Sequence, residues 1–146
     1  MIERGGDPEV ARWARELVER RLHDFQMRRE AALAMPHDVE ALHDVRTRAR
    51  RLRAALEDLG GFIPEAGDWL RALKSLGRRT GAARDNDVLL ARVEHYVRAA
   101  RGPARAQLER LAQRLRHRRR RLRERASEAL ARCALVDRGS AEGDQA

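Results

Sequence analysis

Four basic side chains are spaced so that they share one face of a predicted helix. His43, Arg46, Arg50 and Arg53 follow one another at intervals of three or four residues, which places them within a sector of about 80° on a helix. Arginine presents a fork of donors that binds phosphate oxygens in pairs, and histidine gains a second donor when a nearby polyanion favours its protonation. This basic row therefore predicts a surface that binds a polyanion.

The basic row borders the apolar side of its helix. Most solvated charges lie on the side opposite the core, whereas a row beside the core can line a groove between helices. An alternative is that the row only forms ion pairs with acidic residues of neighbouring helices. The apolar side of the helix consists of Leu42, Val45, Ala49, Leu52, Leu56 and Leu59.

Apolar residues recur at helical spacing along the chain, and no stretch alternates with the period of a half-buried strand. Asp7 followed by Pro8 is typical of a helix start, Asp38 can cap a second helix, and Gly60-Gly61 can end it. We expect a first helix before Pro36, a third after Pro64 and a long fourth after Pro103. Besides the second-helix set, the residues expected to face the core include Val10, Trp13, Val18, Phe25, Leu73, Val88, Leu89, Tyr96, Leu115 and Leu122.

These elements predict an all-α fold, an antiparallel four-helix bundle of long helices joined by short connections. The third helix is expected to be kinked near Gly77 and Gly81, where two glycines weaken it, and to restart near Asp85. We expect residues 1–136 to form one domain and residues 137–146 to form a disordered polar tail.

The net charge of +9 over 146 residues comes from two blocks. Residues 43–53 hold five Arg and one Asp, and residues 112–125 hold eight Arg and one Glu, so both blocks attract polyanions. Cys133 is the single cysteine, which excludes an internal disulfide and suits a reducing compartment. No signal-peptide core or membrane-spanning stretch is present, so we expect a cytoplasmic protein.

The fourth helix carries arginine on several of its faces. Arg119 lies between Leu115 and Leu122 in the apolar stripe, so we expect its guanidinium to meet an anion or a buried carboxylate such as Asp85. Arg116 and Arg123 are expected on the side of the stripe nearer solvent. The remaining arginines of this helix are expected to form a solvated face.

Two motifs carry a resemblance to a known family. The string LHDVRTRARRLRAAL at 42–56 resembles the H-x-x-R-x-x-x-R-R-L-R signature of the CHAD family, the conserved-histidine α-helical domain. The string LRALKSLGRRTGAARDNDVLL at 70–90 is similar to a second element of that family, although Thr80 replaces a common Leu. In the second motif the matching positions are Lys74, Gly81, Arg84, Asp85, Asp87 and Val88.

The resemblance implies non-catalytic binding of inorganic polyphosphate in a basic cavity. Complete members resemble two four-helix halves, and this chain resembles the first half. A weak homodimer could supply the second half, or the chain could be a fragment of a two-bundle domain. Together, the resemblance and the charge pattern name as polyphosphate-binding residues His43, Arg46, Arg50, Arg51, Arg53, Lys74, Arg78, Arg84 and Arg119.

The residues give little support for metal binding or catalysis. The histidines and Cys133 lack metal-ligand spacing, the serines lack a His/Asp partnership, and no phosphate-binding Gly-rich loop occurs. We therefore expect neither a metal, nor a cofactor, nor an enzyme, with Asp85 and Asp87 capping a helix and orienting Arg84. The main alternative function is binding of the nucleic-acid backbone, and the next is a helical adaptor for an acidic protein partner.

Overall fold

The computed structural model describes residues 6–135, which form four long α-helices. Helix α1 spans Pro8–Ala34, α2 spans Val39–Leu59, α3 spans Ala66–Ala99 and α4 spans Gly102–Arg132, with a short 3-10 turn at Gly60–Phe62. Strands are absent from the described residues. The prediction of an all-α bundle of four long helices is therefore confirmed, while the polar tail at 137–146 lies outside the described residues.

Local chemistry explains where the helices begin. The Asp7 carboxylate accepts the backbone N–H of Glu9 at 2.9 Å, and the Asp38 carboxylate accepts that of Glu40 at 2.9 Å. Such N-caps are each worth about 1 kcal/mol. Gly102 has a φ of 62°, a left-handed conformation that costs glycine little. This glycine therefore allows the tight connection between α3 and α4.

The main core lies where all four helices meet. Phe25 of α1, Leu52 and Leu56 of α2, Leu73 of α3 and Leu130 of α4 are each at most 3% exposed. Helix α1 packs mainly on α2, and α3 packs mainly on α4. The fold is thus two helical hairpins, joined where α2 packs on the first half of α3 and where the last turns of α4 reach α1.

The α3–α4 hairpin extends beyond this core. Leu90 and Val93 of α3 pack with Ala112 and Leu115 of α4 in a separate cluster, to which α1 and α2 contribute nothing. At 1.5 Å per residue α3 is about 50 Å long and α2 only about 30 Å. The far part of the hairpin is therefore a two-helix layer with one side uncovered.

The uncovered side explains one set of wrong predictions. Val88, Leu89 and Tyr96 were expected to face the core, but they are 43%, 45% and 56% exposed. Only α4 packs against this part of α3, so a narrow sector around Leu90 and Val93 is buried.

Val10 and Trp13 were also expected to face the core, and they are 44% and 53% exposed. Helix α1 has one principal neighbour, α2. Its buried stripe is consequently narrow and runs through Ala14, Val18 and Phe25.

The predicted restart of α3 near Asp85 is wrong. The helix is continuous from Ala66 to Ala99 through both Gly77 and Gly81. Each glycine costs a helix about 1 kcal/mol relative to alanine, but Leu73, Leu76 and Ala83 are buried on either side of the pair. Packing of these neighbours keeps the segment helical, so Asp85 and Asp87 do not cap a helix.

Candidate anion-binding cleft

A basic cleft of about 220 Å³ lies between α2 and the first half of α3. Its floor is apolar, because it reaches the main core at Val45, Leu73 and Leu130. Its sides carry all four residues of the basic row predicted on α2, together with one arginine of α3. The basic residues that line it are His43, Arg46, Arg50, Arg53 and Arg84.

Arg46 connects the two walls of the cleft. Its Nη1 donates to the carbonyl oxygen of Gly77 at 3.0 Å and to the Thr80 hydroxyl at 2.5 Å. The buried Thr80 hydroxyl in turn donates to the carbonyl oxygen of Leu76 at 2.8 Å. This chain of hydrogen bonds fixes the half-buried guanidinium in place and attaches α2 to α3.

The cleft has an excess of positive charge. Burial lowers the pKa of the Arg46 guanidinium, and the nearby charges of Arg50 and Arg84 lower it further, whereas Asp85 opposes the shift. An arginine keeps its proton at physiological pH, so the unfavourable interactions remain in the folded protein. An anion entering the cleft would relieve them, because opposite charge stabilises the charged form.

The other arginines of the cleft differ in whether they already form an ion pair with a carboxylate. Arg50 is exposed and Arg84 half-buried, and neither forms an ion pair with a carboxylate among residues 6–135. Arg53 donates from Nε to Glu57 at 2.9 Å, an exposed i,i+4 pair of the kind that contributes little to stability. Arg50 and Arg84 are therefore the guanidiniums most available to a ligand.

Two glycines leave room on the α3 wall. A Cβ atom added to Gly77 would meet no atom within 4 Å, and one added to Gly81 would come 4.0 Å from Nη1 of Arg46. At these two positions α3 has no side chain opposite the arginines of α2, so the Gly77 backbone is accessible at the cleft.

The nine predicted site residues do not all converge. The cleft brings together the five basic residues named above, whereas Arg51, Lys74 and Arg78 are exposed outside it. Arg119 lies on α4, away from the cleft, with its Nε 3.5 Å from Oδ1 of Asp87. The basic row on α2 thus lies beside a groove, as its position next to the apolar side indicated.

The arginine that is buried in α4 is Arg123 and not Arg119. Arg123 is 4% exposed and donates to the Asp87 carboxylate and to the Pro36 carbonyl, each at 3.1 Å. The side chain of Arg119 is 35% exposed. Arg119 is therefore less buried than expected, and the buried carboxylate that its guanidinium meets is Asp87 rather than Asp85. The prediction that Arg123 lies nearer solvent is wrong, because the sector of α4 that packs on α3 extends further around the helix than the leucines alone indicate.

Sequence reasoning missed the acidic partner in this network, although a signal existed. Asp87 lies four residues after Ala83 and three before Leu90, and all three are buried, so its spacing is that of a core position. Asn86 next to it donates to the Leu115 carbonyl at 3.1 Å. These contacts fasten α3 to α4 at the point where the hairpin leaves the main core.

Among residues 6–135, no three His, Cys, Asp or Glu side chains are grouped so that they could hold a metal ion. None of the helices in this part of the chain is both long enough and apolar enough to cross a membrane.

Comparison with known families gives one match. The sequence model of the CHAD domain family matches residues 16–137, which is most of the chain. No curated protein and no solved structure is similar enough to the chain to count as a match. The matched range contains α2, α3 and α4 with every residue that lines the cleft.

Proposed function

The chain belongs to the CHAD domain family, and from this premise we propose that the cleft between α2 and α3 binds inorganic polyphosphate without catalysing a reaction. The observation that carries the proposal is the grouping of five basic side chains around one cleft of about 220 Å³. Two acidic residues lie beside this group: Asp85, which opposes the pKa shift of Arg46, and Glu57, which pairs with Arg53.

The geometry suits a chain of phosphates better than a single phosphate. Arg46 is held by α3, while Arg50 and Arg84 on opposite walls are free to donate to phosphate oxygens. His43, Arg50 and Arg53 extend over roughly three turns of α2, about 15 Å. Linked phosphates can engage these groups simultaneously, so each contact after the first costs less entropy.

The polar groups of the cleft support binding without chemistry. The Thr80 hydroxyl already donates to the Leu76 carbonyl and accepts from Arg46, so it is not activated by a base as a nucleophile must be. The remaining polar side chains of the lining are guanidiniums and one imidazole. Guanidiniums stabilise phosphate charge but do not transfer protons at neutral pH.

The composition of the lining argues against nucleic acid as the main ligand. No Phe, Trp or Tyr lines the cleft, whereas proteins that bind single strands usually stack bases on aromatic side chains. We expect affinity to rise with the number of linked phosphates at constant salt, and equal binding of pyrophosphate and a long polymer would contradict this. Competition between long polyphosphate and DNA at equal phosphate concentration separates the two ligands.

A pair of adjacent arginines tests the cleft directly. Arg50 lines the cleft, whereas Arg51 is also exposed on α2 but lies outside it. Hydrogen bonds to charged groups contribute about 1.5–3 kcal/mol, so Arg50→Glu should weaken polyphosphate binding by about tenfold or more. Arg51→Glu changes the net charge equally and should weaken binding much less.

Isothermal titration with polyphosphate of fixed length measures both variants. Equal losses in Arg50→Glu and Arg51→Glu would show that only the overall charge matters. The stronger test is reversal of Arg46 and Arg50 together, which should abolish binding in the cleft while circular dichroism shows unchanged helical content. Unchanged affinity in that double variant would overturn the proposed function.

A further inference from the structure

Helix α4 carries a second row of arginines outside the cleft. Arg114, Arg118, Arg121, Arg125 and Arg132 are all exposed, and their spacing places them within a sector of about 60°. From first to last they cover about 27 Å along the helix. This set is called the α4 ridge below.

The arginines of the α4 ridge differ from the others on the same helix in their ion pairs. None of the five pairs with a carboxylate among residues 6–135. On another face of α4, Arg116 pairs with Glu94 at 3.0 Å and Arg120 lies 3.7 Å from Glu124. An ordinary solvated helix face mixes the two signs in this way, whereas the α4 ridge concentrates one sign.

Helix α3 completes a groove beside this ridge. A depression of about 310 Å³ lies between α3 and α4, where Arg79 faces Arg125 and Arg132. Glu128 is the single acidic residue among those that line it. Its apolar floor is formed by Ala82, Leu122 and Ala129, so the guanidiniums stand at the edges of a concave surface.

The groove and the cleft are different sites. Arg79 and Ala82 of the groove lie about 160° around the α3 axis from Gly77 and Arg84 of the cleft. The two lining sets share no residue. Lys74 and Arg78 are exposed on the part of α3 between them, so cations continue across the outer face of α3 from one site to the other.

We propose that the α4 ridge, with Arg79, is a second binding site for a linear polyphosphate. A single row of guanidiniums about 27 Å long matches one extended chain of negative charge. Helix α4 contains no Phe, Trp or Tyr, so it offers no platform for nucleic-acid bases. The identity of the ligand rests on the proposed function, whereas the existence of the site rests on the arrangement of the α4 arginines.

The test uses two matched pairs of substitutions on α4. Arg118→Gln with Arg125→Gln removes two charges from the ridge, and Arg116→Gln with Arg120→Gln removes two from the face that carries ion pairs. Each pair is introduced into an Arg50→Glu protein, in which the cleft is weakened, and tripolyphosphate is titrated at constant ionic strength. Circular dichroism checks that each variant remains helical.

We expect Arg50→Glu alone to retain part of the tripolyphosphate binding. The ridge pair should weaken this residual binding by about tenfold, and the control pair should leave it within about twofold. Equal losses in the two pairs, or no residual binding in Arg50→Glu, would overturn the second site.

Binding at the cleft and binding at the α4 ridge are separable in these variants. If Arg50→Glu does not change binding and the ridge pair removes it, the cleft is not the site, and the ridge alone remains. If single-stranded DNA with the same number of phosphates displaces the residual tripolyphosphate at lower phosphate concentration, the ridge is a nucleic-acid site and the inference is overturned.

Discussion

At the scale of single residues, the cationic groups of the cleft have two different roles. Arg46 uses its Nη1 to hold the Gly77 carbonyl and the Thr80 hydroxyl, so it supports the structure as well as the charge of the cleft. Arg50 and Arg84 have no carboxylate partner within residues 6–135 and remain free to bind. The substitution of Arg50 is therefore a cleaner measure of binding than that of Arg46.

The single cysteine permits a prediction about pH. Burial raises the pKa of the Cys133 thiol, and Arg29 opposes the shift only in part. A raised pKa in the folded state stabilises the protein below the ordinary thiol pKa of 9.0, and this contribution is lost as pH rises from that value through the folded pKa. Above pH 9 the stability of the wild type should therefore fall more steeply than that of Cys133→Ala.

Urea unfolding of the wild type and of Cys133→Ala, between neutral pH and about pH 10.5, measures the difference between their unfolding free energies. The other titrating groups are the same in both proteins, so their contributions cancel in this difference. The folded thiol should also react slowly with a thiol reagent at pH 8, since the thiolate is the reactive form. Parallel pH profiles for the two proteins, or rapid labelling of the folded protein, would contradict the prediction.

At the scale of the elements, the buried pair of Asp87 and Arg123 joins three parts of the chain. It links α3 to α4, and Arg123 also holds the Pro36 carbonyl in the connection between α1 and α2. Asp87→Leu leaves the buried Arg123 guanidinium without a carboxylate, and Arg123→Met leaves the buried Asp87 with only the partly exposed Arg119 at 3.5 Å. Each change should therefore cost about 3–5 kcal/mol of unfolding free energy.

The double variant provides the control for that prediction. Replacing both members with apolar residues removes both charges, so Asp87→Leu with Arg123→Met should cost less than either single change. Glu94→Gln removes the exposed partner of Arg116 and should cost less than about 1 kcal/mol. Urea denaturation measures all four variants, and a small effect of both single changes would show that the pair does not fasten the hairpin.

Substitutions of Gly77 in α3 test stability and binding separately. Alanine at position 77 meets no neighbouring atom and avoids the cost of glycine in a helix, so Gly77→Ala should raise stability by about 0.5–1 kcal/mol. Gly77→Leu should gain similar helix propensity but extend a side chain into the cleft. Thermal unfolding and polyphosphate titration together test this, and normal binding by Gly77→Leu would show that the ligand does not enter between α2 and α3.

At the scale of the whole molecule, the extended hairpin offers an uncovered apolar surface. Val88, Leu89 and Tyr96 are exposed on the part of α3 that extends beyond the main core. Two copies with a net charge of +9 each repel one another, but a polyanion between them neutralises both, so binding and pairing should be linked. We expect a weak or absent dimer without ligand and a twofold dimer with long polyphosphate.

Light scattering at excess ligand measures the number of protein chains in the complex. Leu89→Glu serves as the control, because it places a charge on the uncovered surface and should prevent pairing without weakening binding in the cleft. A complex that contains one protein chain under these conditions would rule out the dimer and leave a monomer that binds the polymer along its own surface.

The sequence by itself determines the local structure of this protein. The caps at Asp7 and Asp38, the four helices and the position of the basic row beside the apolar side of α2 follow from residue types and spacing. Each depends on hydrogen bonds or periodicity within a few turns, and such information lies in neighbouring residues. The sequence also shows the second motif on α3, but it does not show which residues of that motif face the cleft.

Only the tertiary structure decides which of these groups meet. The positions of residues around a helix do not show how wide its buried sector is, because the width of that sector depends on how many other helices pack against the helix. Thus Arg123 is buried where Arg119 was expected, and Val88 is exposed where the hairpin leaves the bundle. Arg84 and Lys74 belong to the same motif, but only Arg84 lines the cleft with the basic row of α2, whereas Lys74 is exposed outside it. The reason is that α2 packs against one side of α3, and Arg84 lies on that side.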